Sequence, residues 1–414
     1  MSRARIALCR TEVLNAAIIV VTLLLAGYLA FSKRLAASAP WKATVIPLAS
    51  IMGSGFLVSA PLLASVAGNL AAAWMALLLV VAYAVGSAIR FNIRHFEPIE
   101  RKESGPAQDV AFLSRVVLAG AYFVSVTYYL QLLAAFVLRA VGVDDELAAH
   151  AITTLLLTTI AGIGMWRGLD ELEKVERYAV SLNLGMIGAL LLALVVYNST
   201  LLFRGEWKLA TIPSTLDVHD ARVILGLLIV VQGFETSRYL GDEHPADLRI
   251  ATMRVAQLVA AAIYLLFIGL AMVLFNDGLS ADVTAIIDMT APVAGVLPLL
   301  LSVAAIGSQF SASVADTSGA GGLLEDITNH KLRARYTYAL IMVITIAITW
   351  GTNVNQIIAY ASRAFALYYM LQCVVAFIVA FKTRDLSART ARLCMFALFA
   401  VVCLLVFALG VPSG

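Results

Sequence analysis

The sequence predicts an all-α membrane protein of about twelve transmembrane helices from its composition, its repeated apolar segments and the placement of its charges. Of its 414 residues, 61% are hydrophobic and 13% are charged. A soluble domain has about 45–50% apolar and about 25% charged residues. Lipid is therefore the expected solvent, and the chain leaves no room for a soluble domain.

Each apolar segment is long enough to cross the hydrocarbon core, which is about 30 Å thick and takes about 20 residues of helix. Helices are required because lipid offers the main chain no hydrogen-bond partner, and the period-two alternation of a β-barrel is not visible. The predicted spans are 11–31, 43–67, 70–93, 109–140, 148–166, 176–203, 221–240, 250–276, 292–322, 335–350, 354–381 and 390–412.

Lys and Arg are concentrated in alternate loops, as they are on the cytoplasmic side of membrane proteins. This alternation supports the helix count and assigns a side to each loop. The groups at 33–42, 90–102, 167–177, 249–254, 331–335 and 382–392 are rich in these residues, whereas the loops near 68, 142, 210, 284 and 352 carry few or none.

The first span does not fit this pattern well. The alternation directs the N-terminus to the exterior despite Arg3, Arg5 and Arg10. The apolar stretch is longer than that of a typical signal peptide and has no clear cleavage site. We therefore interpret it as a retained helix appended to a core of eleven.

Several function classes are disfavoured by the same sequence. The net charge of +3 and the lack of a basic stripe argue against a nucleic-acid partner. No P-loop, HExxH or Ser/His/Asp pattern is present, so neither an ATP-driven pump nor a hydrolase is expected. The chain is predicted to be a multi-pass protein of the bacterial cytoplasmic (inner) membrane, not an enzyme, and to need no cofactor beyond a coupling Na⁺ or H⁺. Its expected partners are a small solute and the lipid bilayer, and its oligomeric state is left open.

Two glycines interrupt the second span near the middle of the bilayer. Gly53, Ser54, Gly55 and Phe56 follow one another, and Pro61 comes five residues later. Glycine weakens helical continuity and lets a ligand approach the backbone. The alternative is a small-residue packing seam, which is common in membrane helices.

The seventh span carries a second interruption, made by Gln232, Gly233, Phe234 and Glu235. A carboxylate at this depth costs at least about 2.5 kcal/mol and is by default a functional candidate. Without the appended helix, these two segments become core helices one and six. Interruptions at corresponding places in two halves indicate an inverted-repeat transporter with its site at the midplane. The ends of the half-helices would hold a zwitterionic solute.

The two interruptions also carry a family resemblance. Ile51 to Pro61 (IMGSGFLVSAP) resembles the first-helix motif of the amino acid–polyamine–organocation (APC) permeases, and Gly233 to Arg249 (GFETSRYLGDEHPADLR) is similar to their sixth-helix motif. The resemblance implies the five-plus-five inverted-repeat fold shared with leucine-type transporters, with discontinuous core helices one and six. The predicted organisation is an appended helix and link at 1–42, a first repeat at 43–203, a second at 204–381 and a C-terminal helix at 382–414.

Other segments depart from the family pattern. The third span ends in YAVGSAIRFNIRHFEP, the ninth reads GSQFSASVADTSGAGGLLED, and the sixth has no embedded lysine of the kind that some proton-coupled members use. Substrate and coupling ion are therefore left open by the sequence.

Core helix eight offers a candidate ion site at Ser311, Ser313 and Asp316. Oxygen ligands suit a hard cation, and related folds place sodium between core helices one and eight. A proton relay through Asp316 is the second hypothesis. The third is that these groups only bond neighbouring helices.

Core helix ten places Arg363 near the midplane, at a depth comparable to that of Glu235. Uncompensated charges there are costly, so the two side chains are predicted to pair. The alternative is that Arg363 binds the carboxylate of the substrate.

Core helix three carries Tyr122, Ser125 and Tyr129 at helical spacing. These residues are candidates to line the cavity opposite the broken helices, although aromatic stripes more often serve packing.

The leading hypothesis is a secondary active transporter of an amino acid or related amine, working by alternating access and coupled to a sodium or proton gradient. Two alternatives are kept. An inorganic-cation carrier, for potassium for example, would use the same broken helices with carbonyls and Asp316 as ligands. A non-transporting membrane sensor would keep the fold without any flux.

Overall fold

The structure is a computed structural model that describes residues 3–53, 55–143, 145–210, 212, 217–241, 243–276 and 282–412. These residues form helices and connecting turns, with no strand among them. Predicted site residue Ser54 lies outside the described residues. The helices are α1 (Arg3–Phe31), α2 (Lys33–Ala37), α3 (Ala39–Gly53), α4 (Phe56–Ala67), α5 (Ala71–His95), α6 (Glu97–Glu100), α7 (Pro106–Ala140), α8 (Glu146–Arg167), α9 (Asp170–Arg204), α10 (Val218–Gly226), α11 (Ala246–Ala271), α12 (Ile286–Thr290), α13 (Leu297–Ile327), α14 (Ala334–Gly351), α15 (Val354–Lys382) and α16 (Arg389–Leu409).

The described chain contains nine segments that are long and apolar enough to cross a membrane, which confirms the all-α membrane class. The count is lower than twelve for identifiable reasons. Ala39–His95 is a single segment of 57 residues that contains two predicted spans, and the helix near 335–351 is shorter than a full span. The predicted seventh span is divided into short pieces. The twelve-span count itself stays a prediction.

Helix α7 packs extensively against both α13 and α15, and these contacts form the centre of the molecule. The first helix lies outside this group and packs along α9. Glycine permits this contact, since a Cβ atom at Gly185 would lie 2.8 Å from the carbonyl oxygen of Thr22. Close approach through small residues is the usual basis of helix association in lipid. Helix α16 packs against α15 at the other end of the chain.

Both interruptions predicted from sequence are present. Core helix one ends as α3 at Gly53 and resumes as α4 at Phe56. Core helix six is the nine-residue α10 followed by two short 3-10 turns, Leu228–Val231 and Phe234–Tyr239.

The two interruptions lie directly against each other. A Cβ atom at Gly55 would lie 2.7 Å from the carbonyl oxygen of Val230, and one at Gly233 would lie 2.9 Å from the main-chain nitrogen of Ile51. Gly233 also has a φ of +113°, in the region that favours glycine. Each interruption therefore needs a glycine so that the backbone of the other can approach.

Candidate functional site

The first interruption exposes main-chain carbonyls that three other helices satisfy. The oxygen of Met52 accepts a hydrogen bond from Asn183 Nδ2 of α9 at 3.2 Å. The oxygen of Gly53 accepts one from Ser308 Oγ of α13 at 3.0 Å. The Tyr264 hydroxyl of α11 lies 3.0 Å from the oxygen of Ile51.

Tyr264 also joins the two interruptions. Its hydroxyl is within hydrogen-bonding distance of the Val230 carbonyl of core helix six as well as that of Ile51. The side chain is fully buried and its ring contacts Phe56 edge-on at 5.3 Å. One side chain of α11 thus lies within reach of carbonyls of both broken helices, and its hydroxyl proton serves whichever of the two it points to, as expected where irregular backbone lies at membrane depth.

The second interruption is held by α15. The Ser362 hydroxyl donates to the oxygen of Gly226 at 2.5 Å and accepts from the N–H of Ile229 at 2.8 Å. The Tyr369 hydroxyl donates to Glu235 Oε2 at 2.6 Å. The Tyr369 ring stacks on Phe234 with centroids 5.0 Å apart.

Glu235 is only 1% exposed. The same Oε2 atom that receives Tyr369 also accepts the N–H of Gly233 at 3.0 Å. The carboxyl group therefore accepts a hydrogen bond from the main chain of its own turn, at Gly233, and a second one from Tyr369 of α15. Two donors on one oxygen are suited to a charged carboxylate.

Arg363 does not pair with Glu235, so that prediction is wrong. Its Nε donates to the carbonyl of Phe407 at 2.7 Å, and its guanidinium lies 5.8 Å from the Phe407 ring centroid. The side chain thus faces α16. At about 100° per residue, the six-residue step from Arg363 to Tyr369 places them about 120° apart around α15, and Tyr369 lies on the inward face.

Gln232 joins the second interruption to α7. Its Nε2 donates to the Tyr129 hydroxyl at 3.1 Å. Its Oε1 is buried and has no hydrogen-bond partner among the described residues. A buried acceptor left without a donor is costly, so this oxygen is available to a solute N–H or O–H group.

The other two predicted residues of α7 contact a different helix. The Ser125 hydroxyl bonds to the Asp316 carboxylate of α13. The Tyr122 ring lies against Gly319 of the same helix and 6.2 Å from the Phe365 ring. Tyr129 therefore joins the Gln232 side of the site, whereas Tyr122 and Ser125 join the Asp316 side.

Two of the predicted ion ligands of α13, Ser313 and Asp316, bond to different groups. The Ser313 hydroxyl donates to the Phe310 carbonyl of its own helix at 2.7 Å. Ser311 is buried, and Asp316 bonds to Ser125. Within the described part of the chain, no group of three or more His, Cys, Asp or Glu side chains could hold a metal ion.

Sequence reasoning did not assign Asn183, Ser308 or Tyr264 to the site. The available signal was an isolated amide or hydroxyl within a long apolar helix, which is expensive unless partnered. The sequence does not say which carbonyl each would reach, because the partners are 131 residues apart for Asn183 and 255 for Ser308.

A cluster of ion pairs lies at the end of the molecule that the loop charges predict to be cytoplasmic; it comprises Glu97, Glu100, Arg238 and Arg249. Arg249 contacts both carboxylate oxygens of Glu97, at 3.1 and 2.6 Å, and donates to the carbonyl of Arg238 at 2.8 Å. Arg238 lies 3.3 Å from Glu100. We call this group the cytoplasmic cluster. It connects α6 to the Phe234–Tyr239 turn of core helix six and to α11.

A cavity of about 610 Å³ lies at the other end of α7, where α8 and α15 begin, on the side predicted to face outward. We call it the outer cavity. Neither Gln232, Glu235 nor Tyr369 lines it. The central residues Phe56, Phe234 and Tyr129 are all at least 98% buried. The predicted central site is therefore enclosed in this structure.

Comparison with known proteins agrees with the resemblance found in the sequence. A family model described as "APC superfamily transporter" matches residues 33–410, which begins after α1. An uncharacterized protein of Aquifex aeolicus (strain VF5) is 42% identical over 353 residues, covering 83% of this chain and 85% of the relative. A solved structure of a Na⁺-coupled sialic acid symporter in a substrate-bound outward-open state covers 98% of both chains, with 13% identity and a TM-score of 0.49. By the extent of the family match, this chain belongs to the APC superfamily of transporters.

Proposed function

We propose that this protein is a secondary active transporter that carries an amino acid or related amine by alternating access, coupled to a sodium or proton gradient. One observation supports it most directly. Two broken helices cross at their glycines, and beside them lie a buried carboxylate at Glu235 and an unpartnered amide oxygen at Gln232. Family membership supports a transport function.

The chemistry of the site favours a solute with an ammonium group. Glu235 and Gln232 Oε1 offer negative charge and a free acceptor to N–H donors. The first turn of α4, beginning at Phe56, presents main-chain N–H groups at the positive end of a helix. A zwitterion of modest size would be bound at both of its charged ends.

An inorganic-cation carrier is less well supported. Its expected ligands are the freed carbonyls of the broken helices and Asp316, but Asn183, Ser308 and Tyr264 already bond to three carbonyls of core helix one, and Ser125 bonds to Asp316. Each of these oxygens already has a protein donor. Gln232 Oε1, which an organic solute would reach, has none among the described residues.

The coupling ion is proposed to act on α13. Asp316 bonds to Ser125 of α7 and is a proton acceptor between two central helices. A sodium ion would instead take hydroxyl oxygens such as those of Ser311 and Ser313. The two cases differ in which gradient drives uptake.

The test is uptake by purified protein in proteoliposomes. A panel of amino acids, amines, nucleobases and potassium is offered under an imposed sodium or proton gradient, with empty liposomes as the blank. Gradient-driven accumulation of an amine or amino acid, lost in Glu235→Gln, is expected. Accumulation of potassium alone would support the cation carrier, and no flux of any solute would support the sensor.

A further inference from the structure

The described lining of the outer cavity is rich in acidic side chains. Three acids among its described lining residues, Asp145, Glu146 and Asp282, face one arginine. That arginine, Arg139, is already paired with Asp288. The described lining therefore carries an excess of negative charge, and a concave site of one sign concentrates ions of the opposite sign.

Buried acceptors in the wall give a second, independent indication of a ligand. Gln131 lines the cavity and is 3% exposed. Its Nε2 lies 3.2 Å from the carbonyl of Thr352, while its Oε1 has no hydrogen-bond partner among the described residues. Oδ1 of Asn355, in the same lining, is equally without one. Both oxygens need donors.

His150 adds a third acceptor. Its Nε2 lies 3.2 Å from the Thr352 carbonyl. A carbonyl only accepts hydrogen bonds, so Nε2 carries the proton, and in the neutral ring Nδ1 is then an acceptor.

The size of the cavity decides between a metal ion and an organic ligand. A volume of about 610 Å³ lies within the usual range for small-molecule sites, which is about 300–1,000 Å³. No metal-holding group of His, Cys, Asp or Glu side chains occurs in the ranges that the structure describes. Acidic charge with amide acceptors in such a volume suits ammonium groups on a carbon skeleton.

We infer that the outer cavity is a binding site for organic cations that bear ammonium groups, separate from the central site. Asp145, Glu146 and Asp282 supply the attraction, and Gln131 and Asn355 accept hydrogen bonds from the ammonium groups. The inference deepens the proposed function, because it would make this cavity the place where an amine is held before the central site opens.

The test measures binding of 1,4-diaminobutane to the full chain in nanodiscs by calorimetry at low ionic strength. Binding to the unchanged protein is expected, and the Asp145→Asn/Glu146→Gln double variant should bind about tenfold more weakly because two attracting charges are lost. Asp145→Asn keeps an N-cap side chain for α8, so the fold is preserved. Glu206→Gln is the matched control, since Glu206 is an exposed acid that does not line the cavity.

Gln131→Leu provides a second variant that leaves the charge unchanged. It removes the buried acceptor and should weaken diamine binding several-fold. Succinate, a dianion of similar length, should not compete. Equal diamine binding by the unchanged protein and both variants, or tighter binding of succinate than of diamine, would overturn the inference.

Uptake assays on the same variants separate this inference from the proposed function. If the unchanged protein moves no solute but its diamine binding is lost in the double variant, the outer site stands and the transport proposal fails. If the protein transports an amine but the double variant binds diamine as the unchanged protein does, the outer site is absent.

Discussion

Glu235 is positioned by its own backbone and by one tyrosine. The Gly233 N–H and the Tyr369 hydroxyl meet on Oε2, at 3.0 and 2.6 Å. Sequence alone predicted that this carboxylate is functional, because an ionisable group within lipid is costly and usually marks a functional site. It assigned the wrong partner, since Arg363 and Tyr369 lie on different faces of one helix.

Removing the tyrosine hydroxyl should weaken solute binding. A hydrogen bond to a charged group contributes about 1.5–3 kcal/mol, so Tyr369→Phe should reduce the apparent affinity in the uptake assay about tenfold or more. Tyr360→Phe is the control, because Tyr360 is on the same helix but 42% exposed. Equal losses in both variants would argue against a specific role for Tyr369.

At the scale of elements, the crossing of the two broken helices depends on two glycines. The sequence placed both interruptions correctly, since glycine and buried polar groups are local features of the chain. It did not reveal that the interruptions touch. That contact requires the main chain of Val230 to approach Gly55, and of Ile51 to approach Gly233.

A methyl group at either crossing should be poorly tolerated. Gly55→Ala places a Cβ atom 2.7 Å from the Val230 carbonyl oxygen, and such overpacking typically costs about 1–3 kcal/mol. We expect a lower unfolding temperature and little uptake. Gly269→Ala should be nearly neutral, because nothing lies within 4 Å of its Cβ position. A stable, active Gly55→Ala protein would contradict the crossing.

The cytoplasmic cluster is a second contact between elements, joining α6 to core helix six and α11. The Arg249 and Glu97 side chains are 5% and 22% exposed, and removing one partner of a buried pair costs about 3–5 kcal/mol. Glu97→Gln should therefore favour opening of this side. A cysteine introduced at the buried Ser237 should then react several-fold faster with a maleimide added on the cytoplasmic side.

The control for that measurement is the exposed pair Arg94 and Asp247, whose side chains are 56% and 87% exposed. Surface pairs contribute about 0–1 kcal/mol, so Asp247→Asn should leave the labelling rate unchanged. Faster labelling in Asp247→Asn, or an unchanged rate in Glu97→Gln, would show that the cluster does not hold this side closed.

At the scale of the whole molecule, the family match begins at residue 33, after α1. In the sequence, the arginines before this helix conflict with the orientation that the loop charges predict. In the structure, the helix packs along α9. At Gly185 the main chains of α1 and α9 lie close together, with the Thr22 oxygen 2.8 Å from a Cβ position.

A larger side chain at this contact should release α1 without abolishing transport. Gly185→Val is expected to reduce cross-linking between cysteines placed at Ala26 and Gly188, while uptake is retained. Gly162→Val is the control, since nothing lies within 4 Å of its Cβ position. Complete loss of uptake in a folded Gly185→Val protein would mean that α1 takes part in transport.

The sequence by itself determined that the chain lies in lipid, that it is helical and where both helices are interrupted, because hydropathy, glycine and isolated charges are local features. Only the tertiary structure decided which side chains hold the interrupted backbone. Tyr369 and Glu235 are 134 residues apart, and Ser308 and Gly53 are 255 apart. Such pairings depend on the rotation and height of each helix against its neighbours, and in a uniformly apolar span many rotations bury the same surface.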